Sequence, residues 1–231
     1  MGSAGPTGPA GEAGPPGLPG EAGLPGEAGL PSEAGQPGLA PWAAGAGIQM
    51  KIEDTSVDAK GVATVHFQLT DDNGTPLDRD GTLTPGAVTV RFVMDWLDTD
   101  AKGNPAQYVA YTTRDQTSPI TNKTATQPST DSGGTFTAVD VRNGEYQYQF
   151  GTKITIADNT KTQKVGAYAT RSYDNKEYVA NDTYSWVPAG GTPLEREVVL
   201  TDNCNGCHGT LEAHGGARRD TKLCVMCHTR T

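Results

Sequence analysis

No run of about eighteen apolar residues occurs anywhere in this 231-residue chain, which leaves no candidate for a membrane-spanning helix. Met1-Gly2-Ser3 is not followed by a charged stretch and an apolar core, so no export signal is written into the sequence. Lysine and arginine are absent from residues 1–41, and the chain as a whole carries a formal charge of −9. Such an acidic balance speaks against nucleic acid as a partner. No stretch of the middle shows a convincing helical period. Cysteine is missing from the first 203 residues, and histidine appears there only once, at His66.

What the chain does have falls into three regions. In residues 1–41 glycine recurs at every third position from Gly2 to Gly38, broken only at Ser32 and interleaved with proline. The pattern is collagen-like, because only glycine fits at the axis of three packed polyproline II strands. A trimer through this tail is one expectation. Four glutamates with no basic partner in the repeat, and its short length, favour the other, a semi-extended solvated spacer.

Residues 42–200 read as one all-β domain. In Val62–Thr70, Val65, Phe67 and Leu69 share one face while Thr64, His66 and Gln68 share the other, the signature of a half-buried strand. Similar runs are predicted at 48–57, 87–97, 107–113, 135–141, 146–156, 165–173, 178–186 and 195–200. Turn signals separate most of them, Asn143-Gly144 being the clearest hairpin. Many short strands at this spacing predict an antiparallel sandwich or barrel. Residues 116–133 are polar and read as a long loop. Asp95, Asp98, Asp100 and Asn104 lack the spacing of a calcium loop and read as a solvated one. His66, on the polar face of its strand, reads as a surface histidine.

The last region, 201–231, holds all four cysteines in two pentapeptides, Cys204-Asn205-Gly206-Cys207-His208 and Cys224-Val225-Met226-Cys227-His228. C-x-x-C-H is the attachment signature of c-type haem. Two thiols two residues apart take the two vinyl groups of one porphyrin as thioethers, and the histidine that follows is the proximal iron ligand. Two motifs predict two haems c. The sixteen residues between Cys207 and Cys224 also suit a four-cysteine zinc ribbon. A zinc site has no need of a histidine after each second cysteine, so haem is the preferred reading.

Six-coordinate haem requires a second axial ligand at each iron. His214, six residues after His208 and followed by Gly215-Gly216, is the nearby candidate, and the spacing does not say which iron it serves. Arg218, Arg219 and Lys222 are candidates for holding haem propionates or for a solvated basic turn. With so few apolar side chains, an irregular haem-wrapping segment is expected here. One iron is left without a sixth ligand, and c-type haem is attached outside the cytoplasm, so the chain reads as a portion of a longer exported protein.

The order of spacer, all-β domain and Cys-Asn-Gly-Cys-His-Gly-Thr-Leu-Glu-Ala-His-Gly-Gly-Ala-Arg-Arg leading into Leu-Cys-Val-Met-Cys-His resembles the N-terminal half of the OmcA/MtrC-type outer-surface decahaem cytochromes. The resemblance implies a Greek-key split β-barrel packed on a multihaem domain, bis-histidine low-spin haems, and a place at the outer face of a Gram-negative outer membrane. It also implies electron delivery to minerals, soluble metals or flavins, with other c-type cytochromes or a porin-cytochrome conduit as partners. This sequence has two motifs rather than ten, and no lipobox cysteine. Two alternatives carry over from the residues themselves. One is a haem enzyme acting on a small oxidant at a five-coordinate iron. The other is a collagen-stalked adhesive protein with a zinc-binding four-cysteine site.

Overall fold

The structure, a computed structural model, describes residues 1–6, 8, 9, 11 and 44–229. The chain divides into two units, Met1–Gln36 and Pro37–Thr231. The described residues of the first unit are exposed and form neither helix nor strand. Most of the collagen-like repeat lies outside the described residues.

The second unit is built from ten strands and two short helices. One sheet, A, runs in the order β1 (Gln49–Val57), β2 (Val62–Thr70), β8 (Glu145–Lys153), β7 (Thr135–Asp140). The other, B, runs β10 (Lys176–Trp186), β9 (Gln163–Tyr173), β3 (Val88–Thr99), β4 (Pro105–Ala110). All pairings are antiparallel. The alternation expected of β2 is borne out: Ala63, Val65, Phe67 and Leu69 are buried and the residues between them are half-buried.

The buried faces of the two sheets meet in one apolar core. At its centre Phe92 of sheet B stacks on Tyr148 of sheet A at 4.7 Å and meets Phe67 edge-on at 5.4 Å. Such ring pairs add about 0.5–1.5 kcal/mol each beyond the area they bury. Along one side the sheets are joined through a side chain: the Asp182 carboxylate on β10 accepts the Ile52 N–H of β1 at 2.6 Å. Asp174-Asn175 joins β9 to β10 in a two-residue turn with φ of 50° and 58°, the left-handed pair a type I′ hairpin requires. Asn143-Gly144 turns β7 into β8, and a Cβ at Gly144 would lie 2.3 Å from the Leu69 carbonyl oxygen.

Three expectations are corrected. The polar stretch 116–133 is not a plain loop, for β5 (Thr113–Thr117) and β6 (Thr124–Pro128) pair as a two-stranded ribbon. Almost every residue of the ribbon is exposed, so it has no apolar alternation to announce it. The run 107–113 is interrupted where Thr112, buried, accepts the Met94 N–H with its hydroxyl. Residues 195–200 form no strand, because Glu195 is held by side chains instead. Its carboxylate accepts Lys164 Nζ at 2.5 Å and Ser185 Oγ at 2.6 Å, so the segment crosses sheet B without joining its ladder.

The C-terminal region is not irregular either, since each cysteine motif sits in a helix, α1 (Thr201–His208) and α2 (Thr221–Cys227). Three residues is close to one helical turn, so each pair of cysteines shares a helix face. None of the described helices is long and apolar enough to cross a membrane.

Candidate haem-binding site

α2 lies on the outer face of sheet B. Its buried Leu223, Val225 and Met226 form a second apolar cluster with Val93 and Leu97 of β3 and Tyr108 of β4. Gly166 on β9 makes the approach possible: a Cβ there would meet Leu223 Cδ1 and Met226 Sδ, each at 2.6 Å. Under the helix lies Asp95, 1% exposed, with Oδ2 lacking any hydrogen-bond partner. Burial pushes the Asp95 carboxyl well above its ordinary range, and Lys164 only partly offsets this. Asp95 is therefore part of the helix seat, and no solvated loop as expected. Asp98 is half-exposed near the end of β3, and Asp100 and Asn104 close the β3–β4 turn by hydrogen bonds to one another.

Hydrogen bonds fix the ends of the two helices. Asp220 caps α2 by accepting the Lys222 N–H, and it also accepts the Thr201 hydroxyl at the start of α1. Thr201 Oγ1 in turn accepts the Thr221 N–H, and Thr221 Oγ1 donates to the Val199 carbonyl. Between the helices, Ala213 and Arg218 exchange backbone hydrogen bonds around a tight turn. His214, Gly215 and Gly216 there have φ of 52°, 75° and 89°. Glycine takes these angles freely and histidine rarely does, so the turn is held by its surroundings.

Much of that hold comes from Asn181 on β10, which sequence reasoning missed. Its Oδ1 accepts the N–H groups of Arg219 and Asp220, and its Nδ2 donates to the Ala217 carbonyl. An asparagine in a polar strand position carries no signal of such a task.

The result is a cleft of about 560 Å³. One wall is residues 126–130 with Arg114 across the ribbon; the other carries Tyr168, His214, Arg218 and residues 227–229. The His214 and His228 rings stand 6.0 Å apart, centre to centre, at 45°. Burial, then Arg218 and His228, hold His214 below the usual imidazole range, so its ring is neutral and able to ligate a metal. The Arg218 guanidinium lies 5.4 Å from the Tyr168 ring centre.

Of the residues singled out in the sequence, the cleft gathers Cys227, His228, His214 and Arg218. Cys224 is on the same helix, and Cys204, Cys207 and His208 are on α1. Arg219 is turned to Glu212, at 2.8 Å, and to the Gly216 carbonyl, and Lys222 is exposed. His66 is half-buried on β2 of sheet A and does not line the cleft.

The arrangement bears on what could fill the site. All four thiols are free, and among the described residues no three His, Cys, Asp or Glu side chains converge as ligands for a metal ion. Burial, with Asp95 next, pushes the Cys227 thiol up to about 11. Two imidazole rings with centres 6.0 Å apart leave room for a metal between them. Metal–imidazole bonds of about 2.0–2.1 Å put each ring centre roughly 3 Å from its metal, hence about 6 Å for an opposed pair. A bis-histidine haem fits these residues.

No family model matches the chain. It is 32% identical over 191 residues to the multihaem cytochrome MtrC of Shewanella baltica (strain OS185), a match covering 76% of the chain and 26% of that protein. The chain thus spans about a quarter of the length of the relative it matches. Its fold is similar to the crystal structure of the outer membrane decahaem cytochrome OmcA, with a TM-score of 0.57 and 23% identity over 79% of the chain and 30% of OmcA. It is similar also to that of MtrC from Shewanella baltica OS185, with a TM-score of 0.53 and 23% identity over 79% of the chain and 29% of MtrC. Over this portion, the chain is a homologue of the MtrC/OmcA-type decahaem outer-membrane cytochromes.

Proposed function

We propose that the chain is a β domain with the first haem segment of an extracellular multihaem c-type cytochrome, which passes electrons to outer acceptors such as metal oxides, soluble metals or flavins. The observation that carries the reading is the His214–His228 pair, 6.0 Å apart in a cleft that also holds Cys227. Cys204 and Cys207 would anchor one haem c with His208 as its proximal ligand. Cys224 and Cys227 would anchor a second with His228 proximal and His214 distal. Haem supplies one-electron redox chemistry at its iron.

The residues of the chain account for the rest. His214 and His228 would together hold the iron of the second site, which would keep substrates from the metal and restrict it to outer-sphere electron transfer. The Ala213–Arg218 turn and Asn181 hold His214 in its left-handed conformation, so the β domain would help to position the distal ring. α2 is seated on sheet B, so the β domain acts as the scaffold that orients the second attachment motif.

The two facing sheets and the Asp182–Ile52 link support a Greek-key split barrel for residues 42–200, between a spacer at 1–41 and the start of a haem domain at 201–231. We read the protein as sited outside the cytoplasm at the outer membrane surface, with other c-type cytochromes or a porin-cytochrome conduit as partners, and with trimerisation through the tail as a further option.

The decisive experiment is expression of the chain with an export signal in a host able to mature c-type cytochromes. Porphyrin that stays with the polypeptide on denaturing gels, two haems per chain and a low-spin bis-histidine signal from the haem at Cys224 and Cys227 are the expected results. A colourless protein that binds zinc would overturn the reading.

A further inference from the structure

We propose that the β5–β6 ribbon forms part of the second haem's pocket, and that Arg114 on it acts with Arg218 to hold the two propionates of that haem. This inference rests on the cytochrome reading above and adds a residue of the β domain to the haem site.

The cleft has two sides of different origin. His214, Arg218 and His228 come from the haem segment, whereas Arg114 and residues 126–130 come from the ribbon and its exit. The ribbon's base is fixed: the Ser129 N–H donates to Thr112, and the Asp131 N–H donates to Phe92 of β3. The buried Asp131 carboxylate accepts the Tyr148 hydroxyl and the Gly151 and Thr152 N–H groups of β8. The position of Arg114 is therefore set by the sandwich, and the ribbon is no free arm.

The charge of the cleft is one-sided. Two arginines line it and no carboxylate does. Asp115, the neighbour of Arg114, lies outside the lining and accepts the Thr126 hydroxyl. No ion pair or hydrogen bond engages the Arg114 side chain among the described residues. Among the described residues the Arg218 side chain makes only its ring contact with Tyr168, while the adjacent Arg219 is taken up by Glu212 and the Gly216 carbonyl.

Two unengaged guanidinium groups in an acid-free cleft of 560 Å³ beside an opposed histidine pair match a flat group with two carboxylates at one edge. Guanidinium and carboxylate pair through two parallel hydrogen bonds, stronger than neutral ones. Cleft volumes of about 300–1,000 Å³ are those of sites enclosing molecules of this size. Two fixed cations near the iron also favour its reduced form, because the incoming electron meets less negative charge.

The test is redox titration of the full haem-loaded chain followed by absorbance, with Arg114→Gln, Arg218→Gln and Arg114→Lys. Each glutamine variant is expected to lower the electron affinity of one haem by three- to tenfold, about 30–60 mV at 59 mV per decade for one electron. The potential of the other haem should not move, and the haem at Cys224 and Cys227 should keep its low-spin spectrum. Arg114→Lys should restore most of the shift, which a purely structural role of Arg114 would not produce. A haem-loaded Arg114→Gln protein with both potentials unchanged overturns this inference and leaves the cytochrome reading intact. A parent chain without haem overturns both.

Discussion

Leu223 of α2 occupies the space that a side chain on Gly166 of β9 would need, its Cδ1 lying 2.6 Å from the position of a Cβ. The contact is what lets the second cysteine motif sit flat on sheet B. Gly166→Val should lift α2 and cost about 1–3 kcal/mol through overpacking, which in a chain of this size corresponds to roughly 2–4 °C of melting temperature per kcal/mol. The shift should be visible by circular dichroism. Perturbation of one haem and not the other in the absorbance spectrum would locate the damage.

Asn181 bridges the β domain and the turn that carries His214. Asn181→Ala removes the acceptor of the part-buried N–H groups of Arg219 and Asp220, at a cost of about 0.5–1.5 kcal/mol per hydrogen bond lost. Denaturant unfolding should report the loss. Asn181→Asp keeps the Oδ1 acceptor of both N–H groups and loses the donor to the Ala180 and Ala217 carbonyls, so it should fall between the parent and the alanine variant.

Removal of the distal ring is the direct test of the axial pair. In His214→Ala the second iron should lose its second histidine, so the haem at Cys224 and Cys227 should take up carbon monoxide when reduced, in addition to any uptake by the first haem, for which the chain supplies only His208. In the parent that haem should be inert to it. Binding of carbon monoxide to that haem in the parent would favour the enzyme reading instead.

Asp95 sets a pH dependence. Its folded-state pKa is raised by burial, so between the unfolded and folded values the native state holds a proton that the unfolded chain releases. Stability from this group is fully present below the unfolded pKa, about 3.9, and falls as pH rises through the folded value. Asp95→Asn should therefore melt above the parent at pH 8 and close to it at pH 4. Equal melting temperatures at both pH values would remove Asp95 from the account.

How much of this was legible beforehand depends on the kind of signal. β1, β2, β8 and the first part of β3 were readable because one face of each is buried, and burial leaves a period of two in the sequence; β9 and β10 were readable from their β-rich runs and the Asp174-Asn175 turn between them. β5 and β6 were not, since ribbon residues facing water on both sides are chosen for solubility and pairing alone. The cysteine motifs named their chemistry directly, yet the histidine pair did not. His214 and His228 meet only because a left-handed turn, anchored by an asparagine more than thirty residues away on β10, brings them together. The helices around the motifs were hidden because α1 and α2 span two turns at most and are ordered by Thr201, Asp220 and the surface of sheet B, not by a hydrophobic period of their own.

The link between Asp182 and Ile52 has a consequence for how copies of the chain meet one another. Two open sheets would offer four free edges to any passing strand. Where β1 and β10 come together, two of those edges are turned toward each other and closed by a carboxylate. What is left is short: β4 is six residues long and begins at Pro105, and the pairing of β7 shifts register between Ala138 and Asp140. A proline and a register break are poor templates for strand addition, so the two facing sheets can be crowded against their neighbours without recruiting them into a common sheet.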